Sequence, residues 1–280
     1  MRIKILSDST CDLSAEQIRQ HDITLTRLSV IKDGEEFKDG ETIQPADIFA
    51  HVAAGGDLCS TAAVSIGEYA DIFEAYSKDY DGIILINIGS GFSACHQNAR
   101  LAAEDYDNVR CIDSMNLTTG QGLVVLKACE LARELEDLDA IAAALNEYTK
   151  KIEASFLVEK LDYLVKGGRC SSAAALGANL LNLKPCIEVR DGKMTVVKKY
   201  RGNYAKCLGS YVADRLSQRE DVDNTSLFVT RTVISADCLE AVRAGIHEHG
   251  SFANVYETDA GCTVSCHCGP GTLGIVFARK

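Results

Sequence analysis

The chain has 280 residues, 46% apolar and 25% charged, the balance of an ordinary folded protein. A net charge of −11 argues against nucleic acid or an anionic membrane surface as the natural partner. No apolar run approaches the ~20 residues that span a bilayer, and the opening "MRIKILSDST" turns polar too early for a signal peptide. A cytoplasmic address without stable membrane insertion is therefore expected.

In chain order, "RIKILSDS" reads as a buried strand and "LSAEQIRQH" as a capped helix. A strand "ITLTRLSVI" follows, then a charged turn with Gly34 and Gly40, and helices over "PADIFAHVAA" and "SIGEYADIFEAYSKD". The strand "GIILINIG", the helix "SACHQNARLAAEDY", the strand "VRCIDS" and the helix "TTGQGLVVLKACELARELE" continue the alternation. Strands alternating with helices point to a doubly wound parallel sheet.

After the helix "DLDAIAAALNEYTKKI" the pattern changes. "PCIEVRDGKMTVVKKYRG" reads as a hairpin turning at Asp191-Gly192, and further helices are expected over "NYAKCLGSYVADRLSQRE" and "ADCLEAVRAGIHEHG". Strands at "SLFVTRTV", "NVYETDAG" and "TLGIVFA" complete an α+β unit with a largely antiparallel sheet. The expected architecture is α/β with two domains, residues 1–150 and 151–280.

Twelve cysteines are scattered through the chain, mostly single and inside apolar segments, as reduced thiols packed like small hydrophobes would be. "GCTVSCHCG" is the exception. Read as an extended strand, it turns Cys262, Cys266 and Cys268 to one face and His267 to the other, and it contains no CxxC pair, so no metal site is expected.

Small polar residues recur directly after the apolar strands, in "SDST", "GSGFS" and "DSMNLTTG". In an open parallel sheet that edge is where ligands bind. Taken singly, Ser9, Ser93 and Thr118 have the simpler role of capping the next helix. No GxGxxG, Walker loop, GxSxG elbow or HExxH is present. A triad of Ser93, His267 and Asp113 can be composed, but a chain this long offers such sets by chance. "KGGR", ending at Arg169, sets a cation on a glycine turn, aimed either at solvent or at an anion. His267 precedes a stiff Gly-Pro-Gly turn that would fix its ring in place.

Seven stretches in order resemble the DegV family of fatty-acid-binding proteins. They are "KILSDSTCDL", "STAAVSIGEY", "INIGSGFSACHQNA", "CIDSMNLTTGQG", "LDYLVKGGRCSSAAALGANLLNLKP", "KYRG" and "HCGPGTLGI". The resemblance implies a two-domain α/β protein that holds one long-chain fatty acid in an internal tunnel. It further implies that the carboxylate is presented to a separate ATP-dependent fatty acid kinase, which makes the acyl phosphate for phospholipid synthesis.

Carried over residue by residue, the resemblance makes Thr61, Ser93 and His267 ligand-binding. It makes Arg169, beside a helix starting at Ser171–Ser172, and Arg201 residues for the partner or the phosphoryl transfer. It implies no catalytic residue in this chain, and no cofactor beyond the bound acid. Ala62, Ala63 and Val64 stand where the family usually has serine, glutamine and proline, and Ala94 and Cys95 where it has glycine and threonine. A stand-alone enzyme acting on a small acyl or phosphorylated substrate in the crevice between the domains is the alternative reading.

Overall fold

The computed structural model describes residues 1–175 and 183–280. The first half runs β1 (Ile3–Asp8), α1 (Ala15–Gln20), β2 (Thr24–Thr26), β3 (Ser29–Lys32), β4 (Glu35–Lys38), α2 (Pro45–Ala53) and β5 (Ser60–Ala62). It continues α3 (Ile66–Ser77), β6 (Gly82–Asn87), α4 (Cys95–Ala102), β7 (Val109–Asp113), α5 (Thr119–Glu134) and α6 (Leu138–Thr149). The rest is β8 (Ile152–Val158), α7 (Asp162–Gly167), α8 (Ser171–Ala174), β9 (Leu183–Arg190), β10 (Lys193–Arg201) and α9 (Tyr204–Leu216). The chain closes with β11 (Val222–Arg231), α10 (Ala236–His249), β12 (Asn254–Asp259), α11 (Cys262–Cys268) and β13 (Thr272–Arg279).

Strands β2-β1-β6-β7 form a parallel sheet in that order. Every residue of β6 is buried, as a strand covered on both faces requires. Helix α3 packs with α4, and α5 with α6, against this sheet. Helix α3 starts at a capping box in which Ser65 and Glu68 exchange side-chain-to-backbone hydrogen bonds.

The second sheet has six strands in the order β10-β9-β8-β13-β11-β12, and only the β11–β12 pair is parallel. Asp191 and Gly192 turn the β9–β10 hairpin with φ of 49° and 69°, the two positive values of a type I′ turn. Period-two alternation splits this sheet's side chains. Leu273, Ile275 and Phe277 join the cluster under α9 and α10, while Val276, Ala154 and Phe156 join the one that also contains Ile5 and Ile84 of the first sheet. Helix α5 lies between the two sheets; every residue from Thr119 to Val125 is buried, and the second half keeps one exposed polar face.

Two expectations fail. "ITLTRLSVI" is two strands, because the chain breaks at Arg27 and Leu28. Here Arg27 donates to the Asp39 carbonyl (2.6 Å), and the Leu28 amide donates to the Ser9 hydroxyl (3.3 Å). Only β2 joins the parallel sheet; β3 joins a three-stranded antiparallel sheet, β4-β3-β5, that the sequence reading lacked.

"GCTVSCHCG" is the helix α11, not a strand, so the argument from opposite strand faces does not hold. Cys262 and Cys266 lie one turn apart and pack with Cys59, Val30 and Ile48, and burial pushes all three thiols up. The motif that continues past Ser171–Ser172 falls partly on residues 176–182, outside the described residues. Among the described residues no helix is long and apolar enough to cross a membrane.

Candidate functional site

A cavity of about 200 Å³ opens where β5, the loop after β6, α11 and the α7–α8 turn meet. Thr61, Ser93, Arg169 and His267 all line it, amid apolar walls from Leu28, Ile88, Phe92, Leu117, Met194 and Val264. Residues 206 positions apart make its central polar contact: Thr61 Oγ1 and His267 Nε2 are 2.9 Å apart.

The chemistry of the pair follows from where the ring can place its proton. His267 is mostly buried and its Nδ1 has no partner, because the ring packs against the Cα of Gly167. A Cβ built on Gly167 would lie 2.5 Å from that Nδ1. Burial, and after it the charge of Arg169, lowers the imidazole's pKa to about 4, so the ring is neutral at physiological pH. A neutral ring has one N–H. Placed on Nε2, it donates to Thr61 Oγ1 and leaves the threonine's own proton free to point into the cavity.

Ser93 Oγ accepts from the Cys95 amide (3.3 Å) and donates to the Cys95 sulfur (3.2 Å), a weak acceptor from which the hydroxyl can readily turn. Cys95, at one of the positions departing from the family pattern, thus holds the Ser93 hydroxyl. Its thiol also meets Tyr69, whose hydroxyl accepts from Asn87 (3.0 Å). Ala62 and Ala63 add methyl groups to the wall beside Thr61, and Val64 is buried.

Arg169 is exposed, and Nη1 donates to the Gly167 carbonyl at 2.7 Å. Among the described residues no carboxylate lies within ion-pair distance of it. Arg201 is exposed at the far end of β10 from Met194, about 20 Å along the strand, and does not reach this cavity. The Ser93–His267–Asp113 triad is not assembled: His267 faces Thr61, and Asp113 Oδ1 accepts from the amides of Ser90 (3.1 Å) and Met115 (2.9 Å).

Inward, a narrow cleft of about 30 Å³ adjoins the cavity across Leu117, Val264 and Cys268. Ala154, Phe156, Val189 and Val276 line it with several threonines. Those hydroxyls are already engaged: Thr230 with Thr119 (2.6 Å) and Thr258 (3.0 Å), Thr232 with the Gly269 carbonyl (2.9 Å), and Thr272 with that of Cys268 (2.9 Å). A wall rich in hydroxyls therefore behaves as an apolar one.

Acidic residues past the ends of β1 and β4 hold the first turn of α11. Asp39 accepts from the amides of Cys262 (2.8 Å) and Thr263 (3.1 Å), and Asp12 accepts from that of Gly261 (2.9 Å). Ser9 and Thr118 cap no helix: their hydroxyls go to Asp39 (3.1 Å) and Asp12 (2.7 Å). Sequence patterns single out neither aspartate, and no local spacing marks them, since their partners on α11 are more than 220 residues away. Elsewhere a larger crevice, about 520 Å³, is lined by Arg215, Arg219, Glu153 and Glu188, which satisfy one another as ion pairs.

The DegV family model, described as an uncharacterised protein family, matches residues 2–280. A DegV domain-containing protein of Clostridium acetobutylicum is 32% identical over 283 residues, covering 100% of this chain and 99% of its own. A fatty-acid-binding DegV family protein from Thermus thermophilus, 27% identical, superposes with a TM-score of 0.90 over 100% of both chains. DegV of Bacillus subtilis, a fatty acid binding protein 26% identical, gives 0.82, again over 100% of both chains. With its whole length matched in sequence and in fold, this chain belongs to the DegV family.

Proposed function

We propose that the cavity holds the carboxylate of one long-chain fatty acid, with the acyl chain running inward along the apolar cleft. The observation that carries this reading is the Thr61–His267 pair at the polar end of an otherwise apolar cavity. A carboxylate only accepts hydrogen bonds, so it needs donors. Thr61 offers its free proton, and Ser93 offers the one it otherwise lends to Cys95.

Affinity comes mainly from the chain. About 16 carbons at ~0.8 kcal/mol per buried methylene give roughly 10 kcal/mol before ordering costs. Each hydrogen bond to the carboxylate adds ~1.5–3 kcal/mol and decides which end faces out. The protein is a lipid carrier and not itself the catalyst. In the cytoplasm it presents the head group to a separate ATP-dependent kinase, whose product enters phospholipid synthesis. There a carboxylate oxygen attacks the γ-phosphorus of ATP, the new C–O–P link forms, and ADP leaves with the electrons of the broken P–O bond. Neutral hydroxyl donors leave that oxygen accessible, where a bidentate arginine would cover it.

The alternative, a stand-alone enzyme in the inter-domain crevice, is disfavoured because His267 and Asp113 are engaged with Thr61 and with loop amides, not with Ser93. The test is fatty-acid affinity in Thr61→Ala and Ser93→Ala. Each lost donor should weaken binding by ~1–3 kcal/mol. Unchanged affinity in both would refute this head-group assignment.

A further inference from the structure

Helix α11 has seven residues and its N-cap is Gly261, which has no side chain to cap it. A helix this short does not persist alone in water. Its first turn is instead capped by Asp39, 2% exposed, whose carboxylate accepts from the Cys262 amide, the Thr263 amide, the Thr263 hydroxyl (2.7 Å) and the Ser9 hydroxyl.

Asp39 is itself held firmly. Its amide donates to the Leu28 carbonyl (3.0 Å), and its carbonyl accepts from Arg27 (2.6 Å). Four residues beyond the Asp39-bound Thr263, on the same helix face, stands His267. Position errors at the first turn of a rigid helix pass directly to that ring, and from it to Thr61.

We propose that Asp39 is a positioning residue for ligand recognition: by fixing the start of α11 it sets the His267 ring, and through the ring the direction of the Thr61 hydroxyl. The part of this that concerns ligand affinity rests on the head-group assignment given above. The part that concerns the ring does not.

The test has two arms. In the first, imidazole nitrogen NMR signals are recorded on ligand-free protein. Asp39→Asn, which keeps the shape but replaces one acceptor oxygen by an amide donor, should shift the His267 Nε2 signal. Ser9→Ala, a milder change outside the cavity that removes one donor to Asp39, should shift it less. Should Asp39→Asn not fold, Ser9→Ala carries this arm alone.

In the second arm, palmitate affinity is measured in Asp39→Asn, His267→Ala and the double mutant. Each single change should weaken binding about 10-fold, and the double mutant should be no weaker than the worse single one, because both remove the same interaction. A His267 signal unmoved by either Asp39→Asn or Ser9→Ala would overturn the proposal. So would an independent, multiplied loss of about 100-fold in the double mutant. If no variant, nor the parent protein, binds palmitate while the ring signal moves as expected, the ligand assignment fails and the positioning role stands.

Discussion

The cavity has two walls held in different ways. One is formed by Ile88 and Phe92 just past β6 and Leu117 just before α5, anchored on elements that are hydrogen-bonded to neighbours along their length. The other consists of β5 and α11, three and seven residues long: the strand is paired on one side only, with β3, and the helix is held by side chains that arrive from distant parts of the chain. The first wall gives shape and most of the stability. The second supplies Thr61 and His267. Folding free energy and ligand recognition are therefore carried by different residues, and mutations should separate them.

The largest effect is expected in the first wall. Leu85 is fully buried in the parallel sheet, and Leu85→Ala should cost ~2–5 kcal/mol in urea denaturation. Protein that remains folded should keep its fatty-acid affinity; a proportional loss of affinity would show that the walls are not separable.

Arg169 stands at the rim. If its cation serves the developing acyl phosphate, Arg169→Ala should lower kinase-dependent phosphorylation ~100-fold, about 2.7 kcal/mol, with affinity within a few fold. Abolished binding would make Arg169 a head-group ligand. No change in either quantity would make "KGGR" a turn only.

Gly167→Ala tests the second wall from behind. Alanine favours the helical position by ~1 kcal/mol, yet its Cβ must displace the ring whose Nδ1 would lie 2.5 Å away. Stability should hold or rise while affinity falls about 10-fold. Unchanged affinity would mean that the ring's place is not critical.

Two opposed pH slopes complete the comparison. Burial pushes the Asp12 carboxyl up to about 8, from 3.8, so the folded chain keeps a proton that the unfolded chain releases. Stability from this group falls as pH rises across that interval. For His267, lowered to about 4 from 6.5, the unfolded chain takes up a proton that the folded chain refuses, so stability falls as pH drops across that interval. The two contributions oppose each other between pH 4 and 6.5, so there melting temperature should rise with pH in Asp12→Asn and fall with pH in His267→Gln, and only Asp12→Asn should lose the fall between pH 6.5 and 8.

What could be read from sequence follows the same division. Apolar runs such as "GIILIN", the capping box at Ser65 and Glu68, and the Asp191-Gly192 turn are local signals, and their elements form as the patterns dictate. The break at Arg27–Leu28 and the helix at Cys262–Cys268 are decided by long-range hydrogen bonds to Asp39, Ser9 and Asp12, which no window of neighbouring residues contains. Ser93, Arg169 and His267 stand out locally, Thr61 and Arg201 come only from the family resemblance, and Arg201 lies outside the cavity. The Thr61–His267 contact itself had no sequence signal, since nothing in the spacing of the two residues pairs them.

The central claim, that this cavity carries a fatty acid, is tested most directly by native mass spectrometry of freshly purified protein, with solvent extraction to identify what is released. One long-chain fatty acid per chain is expected, because an apolar cavity left empty forfeits contacts along its walls. Protein that is repeatedly lipid-free, and whose melting temperature does not move on adding fatty acid, would contradict the claim.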